Sequence, residues 1–371
     1  VGSRSLLASL RGRLRLTRRD QLDGLLTGAR MSLFDWGMPA GLEAWAGRRL
    51  APSLAYAAGF AGLQESDRFN SAQAGWTRQY SGSAPAESLH VSYASTSARM
   101  ETFSADERTP AVIDMELGPG GAAPPLANRA NRDRRELAAA AAFRELSLAA
   151  GKHRFSLYGA WDRAGVRNRW RAPGNCNLIT ARGAPAAVVV WNTPADNHSR
   201  VETWKASLDD RITFSPWLAA GVSLAADAPR GSLPDERGVQ IRWRSLSPRF
   251  GLSLAPLPRL ALRAGYARLY APLASRYLDY GSAYGLGGAQ YEWLDADGGA
   301  AWEPAETGRL LARFGSPYSD IGSRLARPHA RELQAAARLT LPRAAYASLR
   351  LFRRDETDRI GTGRRRSLRR E

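Results

Sequence analysis

One short segment of the chain carries carboxylates at the spacing of a calcium-binding loop. With residue 295 as the first position, positions one, three, nine and twelve of such a loop are occupied by Asp295, Asp297, Glu303 and Glu306. Hard carboxylate oxygens gathered in one loop suit Ca²⁺, and the spacing predicts a degenerate calcium site. Two positions depart from the pattern, because Gly299 is the fifth residue and Ala300 replaces the turn-forming glycine at the sixth. The alternative is an acidic loop that binds no metal.

No set of residues in the sequence has a spacing that indicates catalysis. The histidines lie far apart in the sequence, at His90, His153, His198 and His329, and form no metal-binding motif. The chain contains no Gly-x-Ser-x-Gly elbow, no P-loop and no dinucleotide fingerprint. The glycine-rich residues 285–288 lack the lysine and the serine or threonine of a phosphate-binding loop. We therefore expect a protein that is not an enzyme and needs no cofactor beyond the calcium considered above.

The elements around these residues alternate polar and apolar side chains, a period that predicts β-strands. In the first of them, leucines at even positions of residues 6–16 oppose Arg11, Arg13 and Arg15. The same period recurs in residues 54–60, 88–93, 155–162, 203–209, 218–224, 249–254, 260–266, 332–341 and 345–354. Several runs are longer than the ~5–6 residues of ordinary strands and approach the ~9–11 residues of tilted membrane strands. The alanine-rich residues 134–148 are interpreted as a further strand.

The connections between the predicted strands fall into two classes. Short connections contain proline, at Pro216-Trp217, Pro256-Leu257-Pro258 and Pro342-Arg343, whereas residues 101–131 and 272–328 form long ones. Short turns at one end and long loops at the other are typical of outer-membrane barrels. Such strands expose an apolar face to lipid and line a wet lumen with the polar face. Aromatic residues near the strand ends suit interface girdles, namely Trp36, Trp45, Trp76, Trp170, Trp217, Tyr266, Tyr270 and Tyr346.

The composition of the chain excludes several other classes. Of the 371 residues, 44% are hydrophobic and 24% are charged, as in ordinary folded proteins. No apolar run approaches the ~20 residues of a membrane helix, and Cys176 has no second cysteine for a disulfide. The net charge of +18 favours nucleic-acid binding at first sight. However, all but two of the 53 basic residues are arginines, dispersed along the chain, which indicates a compositional bias. We expect no nucleic-acid partner.

Residues 188–354 contain several motifs whose order is informative. The motifs are Trp191-Asn192-Thr193-Pro194, Trp204 to Asp209, Arg211-Ile212-Thr213, Leu246-Ser247-Pro248-Arg249-Phe250-Gly251-Leu252, Leu262-Arg263-Ala264-Gly265-Tyr266-Ala267-Arg268-Leu269-Tyr270, Ser275-Arg276-Tyr277-Leu278-Asp279-Tyr280-Gly281, and Arg327-Pro328 before Glu332-Leu333. In this order they resemble the barrel region of TonB-dependent outer-membrane receptors. The resemblance is to the subgroup whose N-terminus carries a carboxypeptidase-regulatory-like domain.

The resemblance implies an all-β fold, an antiparallel transmembrane β-barrel with long extracellular loops. At roughly 25 residues per strand and connection, the chain accommodates about 14–16 strands, against the ~22 of such transporters. The family takes up bulky or scarce substrates such as siderophores, oligosaccharides or peptides. A plug domain closes the barrel, and a TonB-type periplasmic partner energises it.

The chain departs from the family pattern in three ways. No plug or N-terminal box precedes the first predicted strand, the length is short, and the charged residues 364–371 stand where such barrels end in a strand with a terminal aromatic. We therefore expect a partial or truncated barrel that takes up an unknown bulky substrate only when its plug completes it.

These expectations divide the chain into a barrel region, residues 1–360, and a basic tail, residues 361–371. The expected location is the outer membrane of a Gram-negative-type bacterium, with outer-membrane lipid, a plug domain and a TonB-type protein as partners. An arginine-lined lumen would favour anionic solutes. Two alternatives stay open. One is a plugless porin-like channel closed by this chain alone, and the other is a soluble basic all-β binding protein.

Overall fold

A computed structural model describes most of the chain. The described residues are 2–34, 63–79, 86–102, 108–116, 118–120, 126–143, 145–148, 151–236, 239–299, 301–319, 325–342 and 345–358. The predicted strand at residues 54–60, the predicted girdle residues Trp36 and Trp45, and the tail at residues 361–371 lie outside this set. Within it, no helix is long and apolar enough to span a membrane.

The regular structure of the described residues is almost entirely β-strand, with a few short 3-10 turns. The strands are β1 (Gly2–Arg15), β2 (Asp20–Phe34), β3 (Leu63–Gln79), β4 (Ala86–Thr102), β5 (Ala111–Asp114), β6 (Gly118–Gly120), β7 (Ala127–Ala142), β8 (Leu146–Leu148), β9 (Gly151–Arg171), β10 (Cys176–Ala181), β11 (Ala184–Trp191), β12 (Ala195–Ser215), β13 (Leu218–Ser232), β14 (Val239–Arg242), β15 (Ser245–Leu257), β16 (Leu260–Tyr270), β17 (Gly287–Trp293), β18 (Thr307–Gly315), β19 (His329–Thr340) and β20 (Tyr346–Thr357).

The main sheet contains fourteen of the described strands. Twelve form a single path in the order β1-β2-β3-β4-β7-β9-β12-β13-β15-β16-β19-β20, and each neighbouring pair is antiparallel. The short strands β8 and β14 pair with β9 and β13. The predicted all-β antiparallel architecture is confirmed. Among the described strands, β1 and β20 stand at opposite ends of the path, so this part of the sheet is open.

The chain runs up and down across this sheet with connections of two kinds. Short turns join β1 to β2, β12 to β13 and β15 to β16. The described parts of the longer connections, within residues 103–126, 172–194, 233–244 and 271–328, lie at the opposite end. The turns at Pro216-Trp217 and Pro258-Arg259 confirm the short connections predicted there. The long loops predicted near residues 101–131 and 272–328 both lie at the long-connection end.

Strand register places the alternating side chains of the path strands on two continuous faces. Leu14 pairs with Leu22, Leu22 with Trp76, and Trp76 with Leu89, so all four lie on one face. We call this the apolar face. Its exposed large side chains include Leu6, Leu10, Leu14, Leu22, Leu26, Leu89, Val91, Tyr93, Leu137, Leu157, Trp204, Leu208, Val222, Leu224, Phe250, Leu252, Leu333, Leu339, Leu349 and Leu351. The other face, which we call the polar face, carries many of the serines, arginines and acids of these strands, together with a few exposed apolar side chains such as Leu7 and Phe352.

A second sheet is built from the long connections. Its order is β18-β17-β11-β10-β5-β6, and β10 pairs with β5 in parallel. Two compact cores hold it, one around Val188 and Trp293, and another that joins Trp191 and Phe314 to Trp170 of β9. We call this sheet, together with residues 271–279 and 325–328, the loop layer. Trp170 therefore packs against the loop layer, and the predicted role of Trp170 in a lipid-facing girdle is wrong.

The loop layer contacts the main sheet on the polar face. Trp170 of β9 and Val201 of β12 both belong to buried clusters with loop-layer residues, and the register places both on the polar face. Val201 packs in a cluster with Leu233, Ile241, Trp243, Leu273 and Leu278. Among the described residues, the loop layer thus covers the long-connection end of the polar face and does not extend to the end near the short turns.

Candidate functional site on the polar face and in the loop layer

The polar face carries an arginine-rich cavity between β9 and β20. The cavity has a volume of about 1060 Å³ and is lined on this face by Arg154, Arg211, Arg249, Arg263 and Arg350, with Asp209 among them. Arg249 stands opposite Ser223 of β13, and Arg263 stands opposite Ser253 of β15. Because these guanidinium groups outnumber the acids beside them, the cavity has a positive potential that suits anionic groups.

Elsewhere on the polar face, arginines and acids form ion pairs across neighbouring strands. Arg13 of β1 donates from Nε to Asp23 of β2 at 2.8 Å. Arg134 of β7 donates to Asp162 of β9 at 2.8 Å, and Lys205 of β12 approaches the same carboxylate at 3.8 Å. The side chains of these pairs are partly exposed, so each contributes little stability and mainly keeps the face hydrated. The pattern agrees with a polar, water-lined surface.

A buried arginine ties the loop layer to the polar face. Nη1 and Nη2 of Arg327 each donate to a carboxylate oxygen of Asp227 in β13, at 2.7 and 2.6 Å. Nη1 also donates to the hydroxyl of Ser245 in β15 at 2.7 Å. Its Nε donates to the carbonyl of Ala271 at 2.8 Å. The guanidinium also lies 5.6 Å from the Trp243 ring and 5.3 Å from the ring of Tyr270. Arg327, from the Arg327-Pro328 motif, thus forms a bidentate ion pair that fixes the end of the long connection. We call this contact the clamp.

A second polar network lies beside the clamp. Asn197 of β12 donates from Nδ2 to Asp279 at 2.5 Å, and Ser282 donates to Glu236 at 2.7 Å and to Asn197 at 3.3 Å. Ser282 is fully buried. Burial raises the pKa of Asp279 to about 6, although the hydrogen bond from Asn197 opposes that rise. The network holds residues 275–283 against β12, so this part of the loop layer has one defined position.

The predicted calcium loop lies between β17 and β18 of the second sheet. The structure brings carboxylate oxygens of Asp295, Asp297 and Glu306 within 4.8 Å of one another. Glu303, the fourth predicted ligand, is exposed and lies outside this cluster of described residues. The three grouped carboxylates have the donor chemistry that Ca²⁺ prefers.

The carboxylates of this loop also have structural partners. Glu306 is buried and accepts hydrogen bonds from Nε1 of Trp293 at 3.1 Å, from the backbone N–H of Glu303 at 3.1 Å and from that of Ala296 at 3.2 Å. Asp295 and Asp297 accept from the backbone N–H groups of Gly298 and Gly299, at 2.9 and 2.7 Å. These contacts hold the loop closed with its oxygens grouped, and calcium binding by this loop stays a prediction.

The histidines and Cys176 contact residues of the sheets and not a common site. Nδ1 of His153 lies 2.7 Å from the Asp210 carboxylate on the apolar face near the short turns, and the His329 ring lies 5.3 Å from the Tyr270 ring at a tilt of 35°. Cys176 is buried in the second sheet. The structure therefore brings no two of the four histidines into one candidate site among the described residues.

Comparison with known proteins defines the fold. No family model matches the chain, and no curated protein sequence matches it. Among solved structures, the siderophore receptor PirA from Acinetobacter baumannii matches 96% of this chain at 13% identity with a TM-score of 0.57. The ferripyoverdine receptor of the outer membrane of Pseudomonas aeruginosa matches 95% at 11% identity and 0.53, and the alcaligin outer-membrane receptor FauA from Bordetella pertussis matches 97% at 10% identity and 0.52.

The match covers only part of each of these structures. The chain spans 44% of PirA, 50% of the ferripyoverdine receptor and 55% of FauA, about half the length of the structures it matches. At these identities the similarity concerns the fold alone. The chain has the antiparallel strand architecture of outer-membrane receptor barrels.

Proposed function

We propose that this chain is a barrel segment of an outer-membrane receptor of the TonB-dependent family, with the apolar face toward lipid and the polar face toward the lumen. The observation that carries the proposal is the continuous band of exposed leucine, valine and aromatic side chains on the apolar face. Leu6 and Leu349 at opposite ends of the path are 70% and 62% exposed. A soluble protein rarely exposes an apolar surface of this extent, whereas a bilayer covers it.

We further propose that the complete receptor takes up a bulky substrate through this barrel and performs transport, not catalysis. Support comes from the solved structures it resembles, which are described as a siderophore receptor, a ferric citrate transporter and receptors for alcaligin and ferripyoverdine. In such an assembly a plug domain would occupy the lumen, and a TonB-type protein would energise its movement. The arginine-rich cavity favours an anionic substrate or an acidic surface on the plug.

The porin-like alternative requires this chain to close a pore alone. Among the described strands, the path ends at β1 and β20 without a ladder between them, which favours a segment over a closed channel. Planar-bilayer recording distinguishes the two. A steady anion-selective conductance from the chain alone would support the channel, and its absence would support the segment.

Membrane association itself is tested by extraction. The full chain is expressed with a secretion signal, and the outer-membrane fraction is washed with alkaline carbonate before extraction with detergent. The proposal predicts that the chain stays with the membrane and enters only the detergent extract. A chain that is monodisperse in aqueous buffer without detergent would contradict the barrel and support the soluble basic binding protein. An upstream reading frame that encodes a plug domain would support the receptor assignment independently.

A further inference from the structure

A polar cleft lies on the apolar face, just beyond the apolar band and toward the long-connection end. The cleft has a volume of about 740 Å³ between β2, β3, β4 and β7. Its lining residues on these strands include Arg30, Ser66, Arg68, Asn70, Tyr93, Ser95, Ser97, Arg129, Asn131 and Asp133. The three arginines and one aspartate on this face make the cleft basic, and Arg132 and Thr96, which also border it, belong to the opposite face by register. Register places these residues on the same face as Leu26 and Val91, so the cleft opens to the outside of the barrel and not into the lumen.

Two of these arginines stand directly opposite each other. Arg30 of β2 pairs in register with Arg68 of β3. Their Cβ atoms therefore lie about 5 Å apart, and two positive side chains stand side by side. Directly opposed like charges destabilise a sheet when no counter-charge is present. Neither arginine, nor Arg129, forms an ion pair with another described residue. The arrangement therefore has unmet capacity for an anion with several oxygen acceptors, such as a phosphate.

An apolar groove continues from the cleft along the same strands. The groove has a volume of about 550 Å³, and on this face it is lined by Leu14, Leu22, Ala74, Trp76, Leu89 and Val91. Arg13 and Asp23, which register places on the polar face, also border it. On β4, Val91 lines the groove and Tyr93 lines the cleft, about 7 Å further along the same face. A basic cleft that continues into an apolar groove matches the shape of one molecule with an anionic head and a hydrocarbon tail.

We propose that the cleft and the groove together bind one membrane lipid whose head group carries a phosphate. The phosphate lies between Arg30, Arg68 and Arg129, and an acyl chain lies along the groove beside Trp76. The inference rests on the proposed function, because it needs the apolar face to contact a bilayer. Basic residues at the level of the head groups attract anionic lipids, and the adjoining groove favours a lipid over a phosphate ion in solution.

The test measures which lipid the chain retains. The full chain is reconstituted into vesicles of equal parts phosphatidic acid and phosphatidylcholine with identical acyl chains, then extracted in mild detergent, and the lipids that co-purify are quantified by mass spectrometry. Wild-type protein should retain phosphatidic acid in preference to phosphatidylcholine. The variant Arg30→Gln/Arg68→Gln/Arg129→Gln should lose that preference, by roughly fivefold for each arginine removed. Far-UV circular dichroism of each variant verifies that the strands form.

A matched control removes the same charge elsewhere. Arg182→Gln/Arg276→Gln/Arg309→Gln changes three exposed arginines of the connections above the sheet and should keep the wild-type preference. Equal loss in both variants would overturn the site, because net charge alone would then explain retention. Displacement of phosphatidic acid by an equal concentration of inorganic phosphate would also overturn it and indicate a site for the ion alone. A chain that inserts into the vesicles but retains both lipids equally overturns only this inference, whereas a chain that does not insert overturns the proposed function as well.

Discussion

At the scale of single residues, Arg327 joins the loop layer to the main sheet through hydrogen bonds to Asp227, Ser245 and Ala271. Its side chain is 7% exposed and its charge is balanced by Asp227. The desolvation of such a pair offsets much of its attraction, so the pair contributes little net stability, but the loss of one partner leaves a buried charge unpaired. The clamp is thus a device that fixes where residues 325–328 meet β13 and β15.

Arg327→Met should lower the free energy of unfolding by about 3 kcal/mol, because the half-buried carboxylate of Asp227 would lose its partner. The measurement is urea unfolding in detergent micelles, followed by far-UV circular dichroism. Arg309→Met is the control, since its pair with Glu292 at 2.7 Å is exposed and should contribute less than about 1 kcal/mol. Equal effects of the two substitutions would contradict the role of the clamp.

The raised pKa of Asp279 predicts that the stability of the fold depends on pH. Its pKa is raised from 3.8 to about 6 in the folded chain, so the folded state binds more protons between these values, and stability falls as pH rises through about 6. Asp279→Asn removes that penalty and keeps an acceptor for Asn197. At about pH 8 the variant should be more stable than wild type by about 2 kcal/mol, and near pH 4 the difference should vanish.

The exposed carboxylate of Asp235 supplies the control for this experiment. Asp235→Asn should change the free energy of unfolding by less than about 0.5 kcal/mol at both pH values. A gain from Asp279→Asn that is the same at both pH values would show that packing, not ionisation, is responsible.

The loop at residues 295–306 predicts a calcium effect. If the grouped carboxylates bind Ca²⁺, added calcium should raise the melting temperature of the chain saturably, with a Kd of about 10⁻⁴–10⁻³ M as in extracellular modules. Asp295→Asn/Asp297→Asn should abolish the rise, whereas Glu116→Gln, in another exposed loop, should not. The measurement is calorimetry in the presence of increasing calcium. An unchanged melting temperature in wild-type protein would contradict metal binding.

The spacing of carboxylates in the sequence located the loop at residues 295–306 but not the arrangement of its side chains. It identified three carboxylates that the fold brings together, at Asp295, Asp297 and Glu306. Glu303, the fourth predicted ligand, lies outside this group, and Pro304 begins a 3-10 turn in which the backbone N–H of Glu303 donates to Glu306. The clamp of Arg327 and the network of Asp279 gave no signal in the sequence beyond the motifs that contain them, since their partners are distant along the chain.

At the scale of elements, period-two alternation identified the strands that cross the apolar band with long side chains. It identified β1, β4, β9, β12, β13, β15, β16, β19 and β20, and the alanine-rich residues of β7 are a strand as predicted. It missed β2 and β3, because only half of each strand lies in the apolar band. Their other halves carry Arg30, Ser66 and Arg68 on the same face, which interrupts the alternation. The second sheet was missed because its strands are short pieces of long loops.

Neighbouring residues of β12 test the two faces of this element. Leu208 lies on the apolar face and is 46% exposed, whereas Ser207 lies on the polar face. Leu208→Arg should lower the free energy of unfolding in bilayers by about 2–4 kcal/mol, because the charge would enter the hydrocarbon. Ser207→Arg should change it by less than about 1 kcal/mol. A larger effect at residue 207 than at residue 208 would reverse the assignment of the faces.

At the scale of the whole molecule, the central claim is that lipid covers the apolar face of the main sheet. The up-and-down path, the short turns at one end and the covered polar face at the other all follow from a sheet that separates lipid from a wet interior. The similarity to solved receptors supports the same architecture over about half of their length. The proposed lipid site and the assignment of the arginine-rich cavity to the lumen both depend on this claim.

Spin-label accessibility in bilayers tests the claim most directly. Single cysteines are introduced at residues 204–208 of β12 and 222–224 of β13 in a Cys176→Ser background, and each label is probed with oxygen, which concentrates in lipid, and with a water-soluble nickel chelate. A lipid-covered apolar face predicts strict alternation, with high oxygen access at residues 204, 206, 208, 222 and 224 and high nickel access at residues 205, 207 and 223. Uniform access of nickel to both sets would contradict a membrane-spanning sheet.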